Sequence, residues 1–444
     1  MSEILIDGSW GPAQSRAEQM VYNPSTLKPI FAAPFSDAQD VVLAMAAARR
    51  ATERWGTLAR EARTALLVEA GHALAASAPE VAELQSQESG QPRFECLEAV
   101  HAAARCFTRI ADPRGRNAPT PAPALRVRAA GVQPLLLDPD YPLLDWACRA
   151  VPLLEAGSTL VCAVPRATPL SVLRALRCTR ALPRGVLNMV VASPEAVSAA
   201  VGASRVENAR YAGSEAGSQG VDAVFLSASA DLEYAVSASA WLRLFHGGQR
   251  AGQSARIYAA ERISGRVADR LHEYLAFLEC GDPSNPATDL GPLRSSTALQ
   301  RVEDQVGRAL KRGALLKLGG RRYQPWGLRG YFFQPTLVIE GRGDERVPDA
   351  QIRGPVVIVS PVRSLAEAVG QERLRRISFF GDDLDEQLPS LSAAGADFEL
   401  AEATTPLERI LQDLQGSSVG RLRIERWAGD ERSGFPYGPR VPGG

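Results

Sequence analysis

Residues 131–191 read GVQPLLLDPDYPLLDWACRAVPLLEAGSTLVCAVPRATPLSVLRALRCTRALPRGVLNMVV. The opening run, 131–137, is short, apolar and bounded by turn residues, the pattern of a buried strand. Helical spacing follows from about Pro142 to Glu155, then a second apolar run at 158–163. A further helix is expected from Thr168 to Leu176, with Thr168 capping and Pro169 in its first turn, and a third strand at 186–191. Strand, helix, strand at this spacing implies right-handed crossovers and a parallel sheet. Such sheets bind nucleotides at the ends of their strands, an inference that rests on fold analogy alone.

Outward from this core, the first 35 residues read as short strands and turns, with Asn23-Pro24-Ser25 as a turn signal. Ser36-Asp37-Ala38-Gln39 has the form of a capping box before an Ala-rich helix, and helical spacing resumes from Arg60 through Leu84, with Pro79 marking a new start. Residues 112–130 are rich in Pro, Arg and Ala, which suits an extended excursion and an oligomerisation arm. A second α/β region begins near Ala235, with helices expected at 235–244, 265–279 and 295–313 and strands at 255–259, 335–339 and 355–359. The tail beyond Trp427 is rich in Gly and Pro.

A chain of 444 residues exceeds what one hydrophobic core usually supports, so two or three domains are expected. Fifty basic residues balance fifty acidic ones without long like-charge blocks, which argues against nucleic-acid and membrane-surface partners. The start, MSEILIDGSW, lacks a basic segment followed by an apolar run, and the apolar stretch around 132–164 is interrupted by Asp138, Asp140, Asp145, Arg149 and Glu155. A soluble, non-exported, cytoplasmic protein is the expectation. The six cysteines (Cys96, Cys106, Cys148, Cys162, Cys178, Cys280) and four histidines are scattered in sequence, without ligand spacing, so reduced thiols and no metal are expected.

Collinear landmarks then identify a family. They include Asn23-Pro24-Ser25-Thr26, Glu88-Ser89-Gly90-Gln91-Pro92, Ala156-Gly157-Ser158-Thr159, Leu182-Pro183-Arg184-Gly185-Val186-Leu187-Asn188, Phe245 to Arg256, Gly281-Asp282-Pro283, Asp289-Leu290-Gly291-Pro292-Leu293, Gly330-Tyr331-Phe332 and Gly354-Pro355-Val356-Val357. In this order and spacing the chain resembles the aldehyde dehydrogenase superfamily over nearly its whole length. The resemblance implies an α/β fold with a Rossmann-type parallel-sheet domain, a second α/β domain of catalytic type and a β arm. Mapped onto this sequence, the nucleotide-binding-like domain takes 1–111 and 131–234, the arm takes 112–130 and 425–444, and the catalytic-like domain takes 235–424. The chain ends at Gly444, before the family's last helix and arm strand, so the C-terminal part of the arm is expected to be truncated.

The functional positions depart from the family pattern. The family nucleophile is a Cys thiolate in the run Phe, Asn, any, Gly, Gln, any, Cys, with an Arg five residues beyond. Phe245, Gly248, Gln249 and Arg256 are in register with it, which places Ala251 at the nucleophile position. A displaced thiol would fall to Cys280, whose neighbours Gly281-Asp282-Pro283 mark a loop that family members hold away from the site. His246, where the family often has Asn, reads first as a loop residue bonded to backbone and second as a catalytic group.

The family's oxyanion-stabilising Asn corresponds to Asp140 in Asp138-Pro139-Asp140-Tyr141-Pro142, and an ionised carboxylate there would repel the developing charge. Between Gly217 and Ala230-Asp231-Leu232-Glu233 only twelve residues remain, too few for the family's Glu-Leu-Gly-Gly-Lys segment, which carries the general-base Glu, and the helix before it, so the base is expected to be deleted. Gly213-Ser214-Glu215 is left as a stub of the helix that faces the cofactor pyrophosphate. The family's ribose-binding Lys and Glu appear as Val164 and Gln351. Val164, Gly213, Ser214 and Gln351 are thus degenerate cofactor positions, and no cofactor is expected, with NAD(P) the candidate if one binds.

The expected function is that of an aldehyde dehydrogenase homologue without NAD-dependent aldehyde oxidation. It would act as a non-catalytic scaffold or partner subunit in a homo- or hetero-oligomer with aldehyde dehydrogenase-like chains. The alternative is an enzyme with altered chemistry in the same cleft, using His246, Asp140 or Arg353. A residual dehydrogenase with a displaced nucleophile is the third reading.

Overall fold

A computed structural model describes residues 3–111, 131–202, 220–341, 351–414 and 422–427. The chain divides into two compact units, residues 1–23, 27–214 and 410–417 in the first, and 24–26, 215–409 and 418–444 in the second.

The first unit opens with strands β1 (Ile4–Ile6) and β2 (Ser9–Gly11), then the antiparallel pair β3 (Ala17–Tyr22) and β4 (Pro29–Phe35). Four helices follow: α1 (Ala38–Thr57), α2 (Arg60–Ala76), α3 (Ala78–Ser89) and α4 (Arg93–Thr108). Then come β5 (Val132–Leu136), α5 (Pro142–Glu155), β6 (Thr159–Val164), α6 (Leu170–Ala175), β7 (Leu187–Val191) and α7 (Pro194–Val201). The sheet order is β2-β1-β7-β6-β5, with β5, β6 and β7 parallel, as the alternation in 131–191 predicts, and β1 antiparallel to β7. Val41, Ala44 and Ala48 of α1 pack on Val161, Ala163 and Val190, closing one face of the sheet.

Two expected caps differ. The capping box of α1 is formed by Asp37 and Asp40 rather than Ser36 and Gln39. Ser36 is buried, and its backbone N–H is already committed to the Val191 carbonyl at 2.8 Å. Helix α6 starts two residues later than expected and Thr168 does not cap it. Its first amides, on Leu170 and Ser171, donate instead to the Glu88 carboxylate at 2.8 and 2.9 Å. Glu88 sits on α3, so the cap comes from another helix, which local sequence does not disclose.

The second unit comprises β8 (Val221–Leu226), α8 (Leu232–Leu244), β9 (Gln253–Ala260), α9 (Glu261–Ala276), α10 (Ser296–Lys311), β10 (Leu315–Leu318), β11 (Thr336–Ile339), β12 (Val356–Val362), α11 (Leu365–Val369), β13 (Leu374–Phe380), α12 (Leu384–Ala393), β14 (Phe398–Glu402) and β15 (Leu422–Trp427). Helix α13 (Pro406–Leu414) runs across the boundary between the two residue ranges. The eight strands are ordered β10-β11-β12-β9-β8-β13-β15-β14, all neighbours parallel except β10 and β11.

This topology shifts two expected boundaries. Residues 221–226, expected in the first domain as part of 131–234, form strand β8, which pairs with β9 and β13 in the second sheet. Residues 425–427, expected to begin the arm, end strand β15, which is hydrogen-bonded on both sides. The rest of the expected arm, 112–130 and 428–444, lies outside the described residues. Among the described residues no helix is long and apolar enough to cross a membrane, and no group of three or more His, Cys, Asp or Glu is arranged to hold a metal ion.

Candidate functional site

The loop between α8 and β9 carries Ala251 and His246. Phe245 is buried and anchors it, and three successive residues, His246, Gly247 and Gly248, have φ of 59°, 57° and 66°. Left-handed backbone costs a non-glycine residue about 1–2 kcal/mol, so His246 is held there by its surroundings. Gly248 is required: a Cβ there would lie 2.3 Å from the Gly354 carbonyl oxygen and 2.4 Å from Arg243 Nη1.

Arg243, at the end of α8, fixes this loop from beneath. Its Nη1 donates to the Gly248 carbonyl at 2.9 Å, and its Nη2 donates to the carbonyls of Ile352 (2.6 Å) and Gly354 (2.9 Å). Burial pulls the guanidinium down to about 9, which leaves it protonated at neutral pH. Gln249 adds a second brace, since its Oε1 accepts from the Arg294 amide at 3.0 Å and its own amide donates to the His246 carbonyl at 3.1 Å. Ala251 itself is half-buried and presents a methyl group. Gln351, three residues before Gly354, is exposed. Arg243 thus brings together two segments about a hundred residues apart in sequence, the loop of His246 and Ala251 and the segment that follows Gln351.

Arg250 points away from that loop, to Asp222 at 3.4 Å. Burial raises the Asp222 carboxyl, but Arg375, Arg376 and Arg250 around it outweigh that and hold it well below the usual range. Arg256, the other landmark of this region, forms a bidentate pair with Glu340 (2.9–3.2 Å). It also lies 3.6 Å from Glu372, which accepts from Ser254 Oγ and Tyr258 Oη at 2.9 and 2.7 Å. Arg256 therefore ties β9 to the ends of β11 and to the turn before β13. Arg243, Asp222, Glu340 and Glu372 were not singled out by sequence reasoning. An arginine in the otherwise apolar end of α8 was the available signal for the first of them.

In the first unit, Asp140 and Val164 follow or end the adjacent parallel strands β5 and β6, so both stand at the carboxyl ends of the sheet. Asp138 caps the turn: its Oδ1 accepts from the amides of Asp140 and Tyr141 at 2.8 and 2.9 Å. Its own amide donates to Asp145, which pairs with Arg149 at 2.7 Å. Burial, then the neighbouring Asp140 and Asp145, push Asp138 up to about 7. Asp140 is half-buried, and Val164 is fully buried in register with Val191. A buried isopropyl group has no donor for a ribose hydroxyl. Gly213 and Ser214 lie outside the described residues. Cys280 bridges to Leu290 in the turn after α9, and burial pushes its thiol up to about 12, far from a reactive thiolate.

The aldehyde dehydrogenase family model matches residues 10–221 and 214–372. The chain belongs to the aldehyde dehydrogenase family. Among its relatives, the betaine aldehyde dehydrogenase of Bacillus subtilis (strain 168) is 26% identical over 404 residues, which span 83% of this chain and 82% of that protein. The hydroxyisobutyraldehyde dehydrogenase of Mycolicibacterium austroafricanum is 29% identical over 386 residues, 80% of this chain and 76% of its own. An NADP dependent enzyme from E. coli shares the fold with a TM-score of 0.79 at 21% identity, covering 96% of this chain and 89% of that one. PnpE, solved in complex with nicotinamide adenine dinucleotide, gives 0.75 at 25% identity, covering 89% and 88%. The α/β fold inferred from the landmarks is that of the aldehyde dehydrogenases.

Proposed function

We propose that this aldehyde dehydrogenase homologue has lost NAD-dependent aldehyde oxidation. It serves in the cytoplasm as a non-catalytic partner subunit or scaffold, assembling with a catalytically competent aldehyde dehydrogenase. The observation that carries this reading is Ala251, which stands at the nucleophile position of a loop otherwise kept in detail by Gly248, Gln249 and Arg243. A methyl group cannot add to a carbonyl, whereas a family thiolate can.

Three further features support it. Asp140 replaces the amide that would stabilise an oxyanion, Val164 offers no ribose contact, and Gln351 lacks the charge of the family Glu. NAD(P) therefore binds weakly or not at all, and no step of a reaction is assigned to it.

A second reading, altered chemistry in the same cleft, is favoured by one observation. His246 is buried and held at a left-handed φ of 59°, the kind of constraint that accumulates at working sites. Co-purification of the tagged chain from its native cell, followed by mass spectrometry, separates the two. A stoichiometric, intact aldehyde dehydrogenase supports the partner subunit, and recovery of the chain without any relative counts against it and for the second reading.

A further inference from the structure

The six thiols are far apart in sequence, yet two of them meet. Cys106, near the end of α4, and Cys148, in the middle of α5, stand forty-two positions apart and place their Sγ atoms 3.5 Å from one another. The two helices are held at this spot by Phe107 and Trp146, whose ring centroids are 5.2 Å apart and whose side chains are fully buried. Cys106 is half-buried as a residue, and Cys148 is buried.

The two thiols are also unlike. The hydrogen bond shared with Cys148 lowers the Cys106 thiol, and Arg109 and Arg105 add to this against the opposing effect of burial. Cys148, bonded to Cys106 and buried, is raised well above the usual thiol range. Burial pushes Cys162, Cys178 and Cys280 up to about 12 and raises Cys96 as well. Within the pair only Cys106, the less buried residue, is favoured as a thiolate, and its partner thiol is already in contact, the arrangement of an attacking and a resolving cysteine.

We propose that Cys106 and Cys148 form an oxidation site that converts to a disulfide with hydroperoxides. The Cys106 thiolate attacks the distal peroxide oxygen, the O–O bond breaks, and the leaving oxygen takes a proton to depart as water or alcohol. The Cys148 thiol then attacks the resulting sulfenic sulfur, expelling its oxygen as water. In balance, two thiols and one hydroperoxide give one disulfide, one alcohol (water from hydrogen peroxide) and one water; the sulfurs are oxidised and the peroxide is reduced. Closing the gap from 3.5 Å to a bond of about 2.05 Å requires only a small approach of two helices already packed together. The product pins α4 to α5 across the whole intervening segment.

The test uses the full chain, folded and pre-reduced, with one equivalent of hydrogen peroxide. The expected result is loss of two of the six thiols, a cross-linked peptide joining Cys106 to Cys148, reversal by dithiothreitol and a melting temperature raised by several degrees. In Cys148→Ser, a 1,3-dione probe should trap Cys106 as a sulfenic acid; in Cys106→Ser, thiol loss should slow at least tenfold. A cross-link between other cysteines would overturn the proposal. So would oxidation of Cys106 to sulfinic acid without a cross-link, or a folded chain inert to a tenfold excess of peroxide that its denatured form consumes. Should either variant fold poorly, peptide mapping of the unmodified chain decides alone.

Discussion

Arg243 holds the Gly248 carbonyl at 2.9 Å, and with the same guanidinium it holds the carbonyls of Ile352 and Gly354. The loop that presents Ala251 is therefore built on a buried cation whose acceptors are all backbone, with no carboxylate among those three contacts. Breaking this brace leaves three carbonyls without their donor. Arg243→Met, which keeps much of the volume and removes the charge, is expected to destabilise the fold by about 3–5 kcal/mol, the range for disrupting a buried charged network. Denaturant unfolding of the purified variant checks it.

Gly248 should be equally intolerant. A Cβ there meets the Gly354 oxygen at 2.3 Å and requires a side chain at φ +66°. Gly248→Ala is expected to cost more than about 2 kcal/mol, from the left-handed backbone and the steric contact together. Gly247→Ala, where a Cβ would lie no nearer than 3.5 Å to the Gln249 Nε2, serves as the comparison and should cost less, since only the backbone strain applies. Thermal melts of the two variants decide the order.

Glu88 predicts a pH dependence. Burial pushes its carboxyl up to about 7, against the favourable bonds from Ser171 and Leu170. A carboxyl raised above its unfolded value of about 4.5 holds its proton longer in the folded state, so the stability it contributes is fully present below about pH 4.5 and is lost as pH rises through about 7. The span corresponds to about 3 kcal/mol. Glu88→Gln is expected to flatten the fall in melting temperature across that window, leaving the share due to Asp138, which is raised to about 7 as well. An unchanged slope would contradict the assignment.

Much of this was legible in the sequence. The alternation of 131–191 yields three parallel strands because each apolar run is short and each helix is bounded by Pro or Gly. The landmarks around Phe245 lie where left-handed backbone and close approach demand glycine. What escaped depends on long-range partners. Glu88 caps a helix 82 residues away, Arg256 and Glu340 are 84 apart, and Asp222 pairs with Arg375 153 residues on. The strands β13, β14 and β15 escaped too. Charged residues interrupt them, notably Arg375 and Arg376, and Glu425, whose charge is met by Arg376 and Arg409 inside the sheet. A strand that buries ion pairs does not show an apolar run.

Restoring the thiol alone should not restore oxidation. Ala251→Cys returns a nucleophile to a loop able to hold it, but on the proposed reading Asp140 stands at the family's oxyanion position and Val164 at its ribose position, and neither supplies the contact needed there. Groups that act as a unit fail as a unit, so one repair recovers little. With saturating NAD and hexanal or benzaldehyde, turnover should stay far below the ordinary enzyme range of about 1 per second and above. Turnover within that range would mean that the remaining positions are competent.

The most direct test of the central claim is the pure chain itself, assayed for NADH and NADPH formation over a panel of short and aromatic aldehydes. We expect no steady production above the rate without protein. Steady production that disappears when one of the six cysteines is replaced would contradict the account, because it would establish a working thiol nucleophile in place of the one that Ala251 lacks.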